Sequence, residues 1–220
     1  MPGTTCFSFT VSIRIKALDK ELPIFLAEMN RIFDQYIKIL YIYIINRSRN
    51  MIKEKEYKIV YYGNEALKMV AQDVMNIDDD ILLLIDKMYN LMYKAQGIGL
   101  AAPQVDVSKR LVVLDTGNQD GRKMTLINPK IGEISDKEEL YEEGCLSLPG
   151  ISADIIRPSE MLVKGLDTDG KDVELEVDGL LARVLQHEID HLNGILFIDH
   201  LENYQKKELR SYLKKIKKMN

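Results

Sequence analysis

The sequence predicts an α+β fold, with mostly antiparallel sheets around a central helix that carries an HExxH motif. Three observations lead there. Apolar residues at positions 81, 84, 85, 88, 91 and 92 recur at helical spacing. A series of short apolar segments follows: RLVVLD, KMTLINP, IGEIS, ISADII, EMLVKGLD and KDVELEV, punctuated by Gly, Pro, Asn and Asp. A second long helix then begins near Asp178, as DGLLARVLQHEIDHL, with Gly194 placed to close it. Strands and helices do not alternate as βαβ units, and no internal repeat is present.

The remaining elements can be placed in chain order. KIVYYG reads as a short strand with a turn at Gly63-Asn64, and EALKMVAQDV as a short helix. Asp78, Asp79 and Asp80 supply the N-cap and first-turn acids of the helix that starts at Ile81, and Gly97 ends it. NYQKKELRSYLKKIKKM reads as a basic, helix-prone tail. The organisation expected is therefore an N-terminal extension over 1–56, a compact domain over 57–203 and a basic helical tail over 204–220.

Composition narrows the function classes. The 220 residues suffice for one domain with a real core. Apolar residues make up 46% and charged residues 29%, which is globular rather than disordered. A net charge of −4 argues against nucleic-acid binding by bulk charge. Two distant cysteines, Cys6 and Cys145, make no disulfide framework and suit a reducing, cytoplasmic setting. The stretch 24–45 is the nearest approach to a membrane span, but Glu28, Arg31, Asp34 and Lys38 make it too costly at a bilayer centre. No membrane span is expected.

The strongest chemical signal is His187-Glu188-Ile189-Asp190-His191. Residues four apart on a helix share one face, so His187 and His191 can hold one metal ion. Glu188 sits beside them, able to reach a water without being a ligand. Chance occurrence on a solvated helix is the bland alternative, but the flanking apolar residues would bury this helix. A buried imidazole pair needs partners. His200 reads as a surface or helix-end residue.

A catalytic site with an open position wants a third protein ligand. Cys145 is the candidate, in a bend within Glu143-Gly144-Cys145-Leu146-Ser147. A lone thiol is usually a small hydrophobe, and with a histidine it can be a nucleophile. Beside an HExxH helix it reads as a ligand, giving one thiolate and two imidazoles for a borderline divalent ion. Gly97-Ile98-Gly99-Leu100-Ala101-Ala102-Pro103-Gln104 superficially matches a dinucleotide fingerprint, but it follows a helix and runs into a proline. Its small residues suggest instead close approach of backbone to a ligand, with Gln104 as the polar group presented. A general HExxH peptidase and a non-enzymatic protein with a structural metal are the competing functions. The first lacks a suitably spaced downstream ligand, and the second lacks a fourth one.

GIGLAAPQ at 97–104, EGCLS at 143–147 and QHEIDHL at 186–192, in that order, resemble the peptide deformylase family over residues 57–200. The resemblance implies metal ligands at Cys145, His187 and His191 and a catalytic Glu188. It implies that Gln104 and the Leu146 backbone N–H face the formyl oxygen. Gly99 would pair with substrate backbone, and Ile98 and Leu180 would line the methionine pocket. Glu143, Gly144 and Arg183 complete the expected substrate-binding residues. The implied cofactor is one divalent ion, Fe2+ by expectation, with Zn2+, Ni2+ or Co2+ able to replace it. The implied substrates are N-formylmethionyl nascent peptides. Two departures stand out: Tyr61-Tyr62-Gly63 replaces a Tyr-Pro-like turn, and Arg183 stands where several members carry an apolar residue.

The two ends raise further expectations. Seven Lys or Arg between Lys206 and Lys218, against one acid, suggest ribosome contact through RNA phosphates. The alternative is a solvated helix that only covers the core, with Leu209, Tyr212, Leu213 and Ile216 facing inward. Residues 1–50 have no counterpart in the motif-bearing pattern, and Met51 is a candidate initiator. An added packed helix and a targeting leader are the other readings of that segment, the latter opposed by its acids.

Overall fold

The computed structural model describes residues 29, 31, 33–44, 56–117 and 123–220. Cys6, Met51 and most of the polar run after Asn46 lie outside the described residues, as does the start of the stretch 24–45. Two compact units emerge, Met1–Glu56 and Tyr57–Asn220. In the first, residues 33–44 are helical. Among the described residues no helix is long and apolar enough to cross a membrane.

The second unit begins with extended chain. The expected strand KIVYYG forms no ladder: Val60 N–H donates to the Gln104 carbonyl and Tyr62 N–H to the Ser147 carbonyl, 2.9 Å each. Gly63 turns with φ +100°, and Asn64 caps a single 3-10 turn, Glu65–Lys68. The longer helix expected there does not form.

Helix α1, Asp79–Lys94, starts as predicted, with the Asp78 side chain accepting from Ile81 N–H. It ends through Gln96, which takes the left-handed conformation at φ +57°, rather than through Gly97. Gly97 is needed for another reason: a Cβ there would drive into the Leu146 side chain.

Seven strands follow: β1 Gly99–Ala101, β2 Leu111–Asp115, β3 Lys123–Ile134, β4 Glu138–Gly144, β5 Ser152–Pro158, β6 Glu160–Leu166 and β7 Asp172–Asp178. They form a five-stranded sheet, β1-β2-β3-β6-β7, and a two-stranded sheet, β4-β5, with every pairing antiparallel. KMTLINP and IGEIS are one strand, β3, whose register shifts against β6 around Pro129 and Gly132. β4 carries no apolar run, and β1 has only three residues, Gly99-Leu100-Ala101, too few to show a strand period. Helix α2, Gly179–Leu192, and helix α3, Asn203–Ile216, complete the unit. Gly194 closes α2 at φ +74° as expected, and a Cβ there would meet the Lys68 backbone.

One element of the predicted architecture requires correction. The α+β class with antiparallel sheets holds, but the sheets do not surround a central HExxH helix that houses the metal site. Side chains of β2 alternate between two cores. Val112 and Leu114 face Leu181, Leu185 and Ile189 of α2, while Leu111 and Val113 face Leu84, Met88 and Met92 of α1. The large sheet thus lies between two helices, which explains why β2 is apolar and buried from Leu111 to Leu114. The metal-competent cluster is Cys145, His187 and His191, so it joins α2 to the turn after β4 instead of lying within one helix. Geometry requires this, since one helical face offers two imidazoles and the third ligand must come from elsewhere.

A third core holds β5, the turn Phe197–His200 and α3 together through Ile155, Phe197, Ile198 and Ile216. Leu209 and Leu213 of α3 pack on it, whereas Tyr204 and Tyr212 are exposed, so the helix turns Leu209, Leu213 and Ile216 inward but not Tyr212.

Candidate metal centre and active site

The site lies where three segments meet. α2 presents His187, Glu188 and His191 from a helix buried along most of its length. The β4–β5 hairpin ends at Gly144, and the turn behind it carries Cys145, closed by a Leu148 N–H to Cys145 carbonyl bond of 2.9 Å. That bond leaves the central N–H of Leu146 outside the turn's own pairing. The 3-10 turn Ala102–Val105 carries Gln104, whose Oε1 accepts from Ala101 N–H at 2.7 Å. This bond orients the amide, so that Nε2 points at Cys145 Sγ, 3.5 Å away.

Ligand atoms of Cys145, His187 and His191 all lie within 4.8 Å of one another. The shortest approach is Cys145 Sγ to His191 Nε2, 3.2 Å. The donor set fits a metal on two further counts. Glu188 Oε2, beside the cluster, is buried without a hydrogen-bond partner, as expected where other chemistry completes the site. The local field also favours a cation. Burial opposes a charge on His187, yet the Cys145 sulfur and the Glu143 carboxylate hold its pKa well above the usual value. Burial and the charge of His187 hold His191 well below.

Glu188 is 4% exposed, and burial pushes its carboxyl up to about 7. Its carboxylate lies over Gly99, where a Cβ would collide with it and with Val184. Gly99 therefore permits β1 and α2 to approach this closely. Glu143 behaves oppositely. Burial alone would raise its pKa, but hydrogen bonds from His187 and Arg157 override burial and hold it well below the carboxylate range. Arg157 donates Nε to Oε1 at 2.7 Å and Nη2 to Oε2 at 3.0 Å, and Oε2 lies 2.9 Å from His187 Nδ1. The third arginine nitrogen, Nη1, meets Asp190 at 2.7 Å, and Asp190 also meets His200 at 2.8 Å.

A cleft of about 860 Å³ opens onto these groups. Gln104, Cys145, Leu146, His187 and Glu188 line it together with all six expected substrate-side residues, Ile98, Gly99, Glu143, Gly144, Leu180 and Arg183. Ile98 and Leu180 are each 43% exposed, so they stand at its mouth.

The family model described as polypeptide deformylase matches residues 56–207. The chain belongs to the peptide deformylase family. A peptide deformylase of Thermodesulfovibrio yellowstonii is 50% identical over 159 residues, covering 71% of this chain and 96% of that protein. One from Brachyspira hyodysenteriae is 47% identical over 165 residues, covering 73% and 88%. The crystal structure of a peptide deformylase from Legionella pneumophila matches with a TM-score of 0.69 at 41% identity, over 75% of this chain and 97% of that one.

Within this deformylase framework, sequence reasoning missed Arg157 and Asp190 as partners of the site. Asp190 was visible inside HEIDH, three residues after His187 and thus on a neighbouring face. Arg157 sits at the end of a strand with no motif around it, and only the hairpin register, which sets Arg157 opposite Glu139, brings it beneath Glu143. His200 does lie at the end of a short helical turn, partly exposed as expected.

Proposed function

We propose that this deformylase-family chain hydrolyses the formyl amide of N-terminal formyl-methionine on newly made proteins. The observation that carries the reading is the convergence of Cys145, His187 and His191 with the buried Glu188 and Gln104 on one cleft. When bound by those three ligands, a divalent ion supplies Lewis acidity that acidifies water and polarises the scissile carbonyl. Glu188 takes the proton of the attacking water at its unpartnered Oε2 and delivers it to the departing amine nitrogen. The water oxygen joins the formyl carbon, the C–N bond breaks, and formate and a free methionine amine result. Gln104 Nε2 and the Leu146 N–H donate to the formyl oxygen as it gains charge. The bond from Ala101 keeps the Gln104 amide in that sense throughout.

The same reading gives the cleft residues their roles. Ile98 and Leu180 bury the methionine side chain, and the Gly99 backbone pairs with the peptide. Gly144 leaves room for it, while Glu143 and Arg183 shape the wall through their mutual ion pair, 3.0 Å, rather than offering free charge. The proposed ion is Fe2+, with Zn2+, Ni2+ or Co2+ as substitutes, since one sulfur and two imidazoles suit borderline first-row divalent ions. A site that depends on a reduced sulfur at Cys145 supports a cytoplasmic setting. The catalytic domain is assigned to 57–203, with 1–56 as an extension and 204–220 as a basic tail.

Formate release from formyl-methionyl and acetyl-methionyl peptides, measured with metal content, tests the function. Release from the formyl peptide alone, in proportion to bound metal, is the expected result. Cleavage of unformylated internal peptide bonds instead would overturn it. The tail is proposed to dock on ribosomal RNA. Arg210, Lys214 and Lys217 line one exposed groove beside the turn Phe197–His200, which supports that surface. Co-sedimentation with ribosomes should fall when Arg210, Lys214 and Lys217 are replaced by Ala, and equal sedimentation would exclude the groove.

A further inference from the structure

We propose that Arg183 is a positioning residue for metal binding: it ties the hairpin that delivers Cys145 to the helix that delivers His187. Its guanidinium is buried, with 6% side-chain exposure, and every contact it makes crosses between those two elements. Nη1 donates to Glu143 Oε1 at 3.0 Å and to the Ile155 carbonyl at 2.9 Å, and Nη2 donates to the Glu139 carbonyl. The planar head also lies over the Tyr141 ring, 5.1 Å from its centroid. One side chain of α2 thus grips β4 through Glu139 and Glu143, and β5 through Ile155.

The position in sequence gives the grip its consequence. Arg183 is four residues before His187, so both project from one face of α2. Glu143 is two residues before Cys145. Glu143 Oε1 receives Arg183 and Arg157, while Oε2 receives Arg157 and faces His187 Nδ1. All four acceptor directions of the carboxylate are then used. Two guanidinium groups, Arg157 and Arg183, face two carboxylates, Glu143 and Asp190. Arg157 comes from the hairpin itself and reaches α2 at Asp190, beyond His187, whereas Arg183 ties α2 to the hairpin one turn before His187, through Glu143, two residues before Cys145. The sulfur-to-imidazole distances are set by that spacing. Groups that orient a ligand in this way typically carry about 10- to 100-fold in metal affinity.

The inference rests on the metal-binding reading above, and the experiment separates the two. The full chain, stripped of metal, is titrated with Zn2+ against a chromogenic chelator, and the sulfur-to-metal charge-transfer band is recorded after loading with Co2+. The parent should bind one ion and show the band, and a parent that does neither would overturn both readings. Arg183→Met should weaken Zn2+ binding about 10- to 100-fold and alter the band while the circular dichroism stays native. Arg183→Lys, which keeps the charge but cannot span three acceptors, should fall in between. A folded Arg183→Met protein with parental affinity and band would overturn the inference while leaving the metal site intact. If the Met variant fails to fold, the Lys variant decides: weakened binding supports the role, and parental binding overturns it.

Discussion

The two flanks of the metal-competent cluster are built in opposite ways. On the His187 flank the polar atoms are paired: Nδ1 faces Glu143, Glu143 is held by two arginines, and Arg157 reaches on to Asp190, which also meets His200. Phe197 also lies along the ring, with centroids 6.1 Å apart. On the other flank, Glu188 Oε2 and His191 Nδ1 are buried and unpartnered. A buried group without a partner costs about 1–3 kcal/mol, and of the two only Glu188 lines the cleft. The difference separates two tasks. In the proposed function, rigid ligand placement falls to the saturated flank, and proton transfer to Glu188, whose Oε2 is left free to accept.

The sharpest way to break this comparison is at Glu188. Glu188→Ala should lower kcat on the order of 10² to 10⁴-fold while metal content stays at the parental value, because a base that is not a ligand can be lost without losing the ion. Formate release and metal analysis on the same preparation check both halves. Loss of metal together with activity would assign Glu188 to the ligand-holding flank. Gln104→Leu should cost less, on the order of 10² to 10³-fold in kcat with little change in KM, as for one oxyanion donor. Unchanged kcat would remove its Nε2 from the chemistry.

The same contrast appears in acid and base. Glu143 has a folded-state pKa held well below its unfolded value, so its stabilisation is complete above about pH 4.5 and is lost as pH falls toward the folded value. Glu188 has the reverse shift, from 4.5 to about 7. The folded protein therefore holds the proton more tightly, and metal-free stability declines as pH rises from 4.5 through 7. At pH 8 the penalty is about 3 kcal/mol at most. Glu188→Gln should remove it, so that the metal-free variant is the more stable form at pH 8 and nearly equal to the parent at pH 4.5. Urea unfolding at the two pH values measures this, and parallel parent and variant profiles would show that Glu188 is not the group responsible.

Legibility in the sequence followed the same division. His187, Glu188 and His191 were readable because a 3.6-residue period places them on one face without any tertiary knowledge. α1 and the end of α2 were readable from the Asp78 cap and Gly194. Arg157 was not, because its contact with Glu143 depends on hairpin register. β4 was not either, since EELYEEG alternates charge with only Leu140 and Tyr141, both exposed, and its one strongly buried residue is an acid, Glu143. The sheet layering was missed for a related reason. A continuous apolar run such as LVVL, residues 111–114, shows that both faces are covered, but not by which helices.

The smallest expected effect concerns the unit outside this comparison. Residues 56–207 carry the family match, and Tyr57–Asn220 forms a compact unit of its own. Every residue lining the active-site cleft lies between Ile59 and Glu188. The saturated flank draws on Glu143, Arg157, Arg183, Asp190 and His200, and all of them also lie in that unit. A chain begun at Met51 therefore retains both flanks and the three cores beneath them. It should match the full-length form in soluble yield, in formate release per bound metal and in melting temperature to within about 2 °C. That shift corresponds to about 0.5–1 kcal/mol for a domain of this size. The opposing idea is that the helix over 33–44, with its exposed Tyr36, Leu40, Tyr41 and Ile44, covers core surface that the catalytic unit needs. That idea predicts aggregation of the shorter chain or a loss of several kcal/mol in urea unfolding. Either result would mean that the first unit is part of the catalytic domain's stability, and the boundary at residue 56 would have to be abandoned.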